Sequence, residues 1–113
     1  MENILVTGAH FDDAELGVGG TLAKLSDQGA RVHKLTLTDD VTNFEHLEIN
    51  TDFQSSYNSS LEACKILGIN QLEPLKYHPC NQLKYSTEVM QMVEKIIFDL
   101  EIDTVFSHFP SDV

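Results

Sequence analysis

The sequence predicts an α/β domain built on a mainly parallel sheet. Three observations predict it. Short apolar runs rich in β-branched residues alternate with longer amphipathic runs, glycines stand at the ends of the longer runs, and the first and last short runs lead into loops rich in His and Asp. Alternation of this kind is the pattern of strand–helix–strand units. Right-handed crossovers follow from it.

Asn3 to Thr7 (NILVT) is a compact apolar run ended by Gly8, and it predicts a buried first strand. Leu16 to Gln28 predicts a helix with Leu16, Leu22, Ala23 and Leu25 near one face. Gly29 suits the left-handed position that stops it. Arg31 to Thr38 is the second strand, with Val32, Leu35 and Leu37 as its apolar sites. Asp39 to Thr51 is polar and mixed and predicts a long loop, of the kind that more often serves function. Asp52 to Leu67 is the second helix, with Leu61, Cys64, Ile66 and Leu67 inward and Gly68 as its stop. Gln71 to Tyr77 predicts a short strand. Ser86 or Thr87 caps a third helix, whose Val89, Met92, Val93, Ile96, Ile97 and Leu100 form a core stripe. Thr104 to Ser107 is the last strand. The order predicts a Rossmann-like three-layer αβα arrangement. A sheet that stops at a polar loop after its fourth strand reads as truncated at the C-terminus, so residues 1–113 are expected to be the N-terminal portion of a single domain.

The composition is that of a folded domain, 42% hydrophobic and 22% charged. The formal net charge of -11 excludes a chain built to grip nucleic acid or anionic lipid, since phosphate contacts need Lys and Arg. Met1 to Gly8 has no basic segment followed by a long apolar one, so it is not read as a signal peptide. No stretch approaches the roughly 18 apolar residues of a membrane span. Cys64 and Cys80 form neither a CxxC pair nor a disulfide framework, and a reducing cytoplasm is the expected setting. The expected partner is a small molecule. A homo-oligomer is left open.

In parallel sheets the site lies at the carboxyl ends of the strands. There the first strand runs into Ala9-His10-Phe11-Asp12-Asp13, and the last into His108-Phe109-Pro110-Ser111-Asp112. His10 and Asp13 are three apart on a strand-to-helix turn, a spacing that lets an imidazole and a carboxylate converge on one cation. Zinc takes such N and O ligands at about 2.0–2.2 Å, and a catalytic site keeps three protein ligands and a water. Asp12 lies between the two and is free for proton transfer. By spacing alone, a plain helix-start turn is the better account, because Asp caps helices and acids favour the positive helix end.

The surrounding residues change that balance. Gly8-Ala9-His10-Phe11-Asp12-Asp13-Ala14-Glu15, followed by Gly17, Gly19 and Gly20, resembles the signature of the LmbE-like (PIG-L) deacetylase family. That signature is an apolar strand, AHPDDxE and a glycine-rich helix start. Phe11 replaces the usual proline, at a position that is not a ligand. Phe106 to Asp112 resembles the approach to the family's second motif, whose His-x-Asp-His run would fall just past Val113. The middle departs: Phe53-Gln54-Ser55-Ser56-Tyr57 lacks the family's frequent Arg, and Pro79-Cys80-Asn81-Gln82 replaces a Pro-Asp pair.

The resemblance implies a zinc-dependent N-deacetylase for an acetylated amino sugar or glycoconjugate, N-acetylglucosamine being the type case. It implies zinc on His10, Asp13 and a histidine of the second motif, with Asp12 as the base that takes the attacking water's proton. Iron(II) suits the same ligands. Asp112 is expected to belong to the second motif and to orient a site histidine. Glu15 either orients His10 or is simply a first-turn acid. His108 is expected at the site rim and is not assigned to the metal. His33 and His46 read as structural or solvated, and His78 as a pocket candidate. Asp39 and Asp40 border the pocket or merely start a loop.

Two other readings stand beside this one. Ile4-Leu5-Val6-Thr7-Gly8-Ala9 imitates the opening of a nucleotide-binding Rossmann enzyme, but that fingerprint needs G-x-G-x-x-G directly after the strand. His10, Phe11, Asp12 and Asp13 occupy that place and would block and repel phosphate. The third reading is a non-catalytic relative that binds sugar without hydrolysing it.

Overall fold

The computed structural model describes residues 1–41, 43–50, 52–75 and 83–109. The elements are β1 (Asn3–Gly8), α1 (Asp13–Asp27), β2 (Arg31–Thr36), β3 (Asn43–Phe44), a 3-10 turn (Glu45–Leu47), β4 (Ile49–Asn50), α2 (Phe53–Leu67), β5 (Asn70–Gln71), α3 (Thr87–Asp99) and β6 (Thr104–Phe106). The main sheet has the order β5-β2-β1-β6. All its pairings are parallel, in register Ile4–Val32 across β1 and β2 and Leu5–Val105 across β1 and β6.

The two central strands are buried because helices cover both of their faces. On one face Ile4, Val6 and Val32 pack with Ala14 and Leu22 of α1 and Cys64 of α2. On the other, Leu5 and Leu35 meet Leu75, with Val89, Val93, Ile96 and Ile97 of α3 packed against them. The result is the expected three-layer αβα arrangement. Leu22 is fully buried at the centre of the first cluster. Leu22→Ala is therefore expected to cost about 2–5 kcal/mol, measured by urea denaturation.

Several boundaries and faces differ from the sequence expectation. α1 begins at Asp13, three residues before Leu16, so the acids of the motif form its first turn. Leu16 is 81% exposed, and the helix buries Ala14, Gly19 and Leu22 instead. Ile66 of α2 is 84% exposed, and Ser60 takes a buried place beside Cys64. The stripe on α3 is only partly buried, and Met92 is exposed. The region after β2 is not a plain loop, because it contains the antiparallel β3–β4 pair. The strand expected from Gln71 regularises only at Asn70–Gln71, although Leu72 and Leu75 still donate amides to the Lys34 and Thr36 carbonyls. Tyr77 lies outside the described residues.

The helix ends follow simple chemistry. Asp52 and Ser86 cap α2 and α3 by accepting the Ser55 and Val89 amides. Gly68 closes α2 at φ 76°, and Gly29 follows α1 at φ 98°. Among the described residues no helix is long and apolar enough to cross a membrane.

Candidate active site

The parallel order places the carboxyl ends of β1, β2 and β6 side by side. Each end supplies part of one site. β1 delivers the turn His10–Asp13, β2 delivers Thr38 to Asp40, and β6 delivers Ser107 and His108. Hydrogen bonds tie the three together: Thr7 Oγ1 donates to Ser107 Oγ at 2.8 Å, and Thr38 Oγ1 donates to the Ala9 carbonyl at 2.7 Å.

Asp13 is the centre of this arrangement. Its Oδ2 accepts the His10 amide at 2.9 Å and lies 3.5 Å from His10 Nδ1 and 3.2 Å from His108 Nε2. A tetrahedral ion with arms of about 2.0–2.1 Å has ligand atoms roughly 3.4 Å apart. The His10–Asp13 pair fits that edge. His108 Nε2 also accepts the Ala9 amide at 3.2 Å. Nε2 carries one in-plane lone pair and the Ala9 amide takes it, so the 3.2 Å approach of Asp13 Oδ2 is a close contact beside that bond. Among the described residues no three His, Cys, Asp or Glu side chains converge on one metal position. The His10–Asp13 pair has the spacing of two neighbouring ligands on one such ion.

Asp12 occupies the N-cap position of α1, yet its side chain makes no capping hydrogen bond. It is exposed and lines an open cleft between α1 and α2, with Phe11, Glu15, Leu16 and Asp40 on one side and Asp52, Ser55, Ser56 and Ser59 on the other. Among the described residues, the charged groups lining this cleft are all acidic. Asp40 accepts the Phe11 amide at 2.9 Å, and its backbone takes the left-handed conformation at φ 51°, which Asp tolerates better than most residues. Burial pushes the Asp40 carboxyl above the usual carboxylate range; the Phe11 amide and His10 oppose this shift, and Asp12 and Asp13 add to it. Asp39 instead accepts the Val41 amide within its own loop.

Phe11 is buried, and its ring lies 6.0 Å from Phe53 and 6.1 Å from Tyr57. This aromatic contact fixes the turn against α2 at the position where proline is usual in the family signature. Glu15 stands in the first turn of α1, the second of its two expected places, and directs its carboxylate to Lys34 at 2.5 Å. His33 faces Asn70 at 3.1 Å on the sheet, and burial lowers its pKa. His78 and Asp112 lie outside the described residues.

Gly8 is required by close approach. A Cβ there would stand 2.9 Å from Asp13 Cβ and 3.2 Å from the His10 carbonyl. Gly8→Ala is expected to displace Asp13 and to weaken metal binding by about 10–100-fold, read by competition with a chromophoric chelator.

The family model described as GlcNAc-PI de-N-acetylase, PIG-L, matches residues 5–113. The uncharacterized deacetylase YaiS of Escherichia coli K12 is 28% identical across 98% of the chain and 60% of its own length. The N,N'-diacetylchitobiose deacetylase of Pyrococcus horikoshii superposes with a TM-score of 0.82 at 28% identity, over 98% of this chain and 43% of that one. The 4-carboxy-2-hydroxymuconate hydratase GalB of Pseudomonas putida KT2440 superposes at 0.77 with 18% identity, over 99% of this chain and 50% of that one, a likeness of fold alone. The chain thus spans about half the length of the proteins it resembles. The family match runs through the β1–α1 turn that carries His10, Asp12 and Asp13 and on to the β6 end that carries His108, and by that match the chain belongs to the PIG-L deacetylase family.

Proposed function

We propose that this chain carries the base and two metal ligands of a zinc-dependent N-deacetylase acting on an acetylated amino sugar or glycoconjugate. The observation that carries the reading is the state of Asp12. Its carboxylate makes no cap bond, and it stands in the cleft one residue from the His10–Asp13 pair. A cap residue that does not cap is placed for another use.

His10 and Asp13 would hold the metal, with a further histidine completing the set. Zinc supplies Lewis acidity toward the acetamide carbonyl and lowers the pKa of water. Asp12 takes the proton of the attacking water, and the amine leaves with a proton as the acetyl group departs as acetate. Asp40 keeps the turn in place through the Phe11 amide. The cleft of about 640 Å³ lies in the size range of small-molecule sites, and its serine hydroxyls suit the hydroxyls of a sugar. Its acidic lining favours a neutral or amine-bearing substrate over a phosphorylated one. The turn is a poor nucleotide cradle for a further reason: Asp13 takes the His10 amide and Asp40 takes the Phe11 amide, so neither is free for phosphate.

The test is acetate release from N,N'-diacetylchitobiose and N-acetylglucosamine by the full-length protein. Release that stops with a chelator and returns with zinc is expected. Zinc-loaded protein that releases no acetate from any N-acetylated sugar would overturn the reading.

A further inference from the structure

Lys34 is the largest side chain among those fully buried in the described residues, at 1% exposure. It sits in the central strand β2, where a charge is costly unless every donor finds an acceptor. Its three ammonium protons have three acceptors: the Phe11 carbonyl, Glu15 Oε1 at 2.5 Å and Ser60 Oγ at 2.7 Å. Ser60 passes its own proton to Gln71 Oε1 at 2.6 Å. One ammonium therefore connects the middle of the His10–Asp13 turn and the first turn of α1 to α2 and, through Ser60, to β5.

We propose that Lys34 is a positioning residue for the metal-binding turn. It holds the Phe11 carbonyl and Glu15 from below, so that Asp12 and Asp13, on either side of that anchor, keep their directions. The anchoring is complementary to the bond from above, where Asp40 accepts the Phe11 amide. Both polar groups of the Phe11 backbone are thus held by charged side chains from β2 and the loop that follows it. The consequence for catalysis rests on the deacetylase reading. The positional claim does not.

The experiment uses the full-length protein with Lys34→Met/Glu15→Gln, which removes both charges and keeps the volume. Amide hydrogen exchange is read at His10, Phe11 and Asp13, whose own hydrogen bonds do not involve Lys34. Exchange about tenfold faster at these amides is expected, with rates at Val6 and Cys64 unchanged and a melting temperature within about 5 °C of wild type. Zinc affinity, by chelator competition, is expected to fall about 10–100-fold, and kcat to fall with KM held. A folded double variant whose turn amides exchange at wild-type rates overturns the proposal. If the double variant does not fold, Ser60→Ala is read instead; it frees one ammonium proton and is expected to speed exchange at the turn about threefold. Unchanged exchange there overturns the proposal equally. If wild type neither binds zinc nor releases acetate while the variant still loosens the turn, positioning stands and the deacetylase reading falls.

Discussion

Asp12→Asn is expected to lower kcat by about 10²–10⁴ while bound metal and KM stay near wild type. The substitution keeps the size and hydrogen-bonding shape of the side chain and removes only its capacity to take a proton. Asp12 makes no capping bond, so the start of α1 should be indifferent to the change. Melting temperature and metal content of the purified variant separate this outcome from misfolding. Activity within threefold of wild type would show that the base is another group, with Asp40 the nearest alternative because burial already raises its pKa and it lines the same cleft.

Asp13→Ala is expected to abolish activity by a different route. Its Oδ2 faces His10 and His108 and accepts the His10 amide, so on the proposed ligand set its loss would remove one ligand and loosen another. Metal affinity should fall by more than about 100-fold, beyond what the loss of a partner outside the ligand set typically costs. The side chain is only partly buried, so global stability should change little. The pair of variants thus separates two roles held by adjacent carboxylates: Asp12→Asn keeps the metal and loses turnover, and Asp13→Ala loses both.

Most of the architecture was legible because strand and helix periods differ and glycines mark the ends. The NILVT run, Gly29 and Gly68 behave as read. The faces were less legible. Leu16 is large and apolar, but α1 packs through Ala14, Val18, Leu22 and Leu25, a stripe at four- and three-residue spacing that leaves Leu16 on the outer side. Ile66 failed for a related reason, since α2 buries Ser60 and Cys64 toward a polar network and leaves Ile66 on the outer side. Lys34 was invisible to pattern reading. In a strand covered on both faces every position is a core candidate, and nothing local distinguishes a lysine that has three acceptors waiting on other elements.

The site divides in the same way. His10, Asp12 and Asp13 are neighbours in sequence, and their turn could be read directly. His108 and Asp40 join it only through the sheet order, which brings β6 and β2 to either side of β1. The expectation that strand ends carry the site pointed to both, and Asp40 was already weighed there. The approach of His108 to Asp13 depends on β6 being the neighbour of β1, which one sequence does not reveal. The packing of Phe11 on Phe53 and Tyr57 likewise joins residues far apart in the chain.

The central claim is that the turn after β1 holds a catalytic metal. Elemental analysis of the purified full-length protein, wild type against His10→Ala/Asp13→Ala, tests it most directly and also distinguishes zinc from iron. Near-stoichiometric metal in wild type and none in the variant is the predicted result. Metal-free wild type after reconstitution, or equal metal in both, would contradict the account.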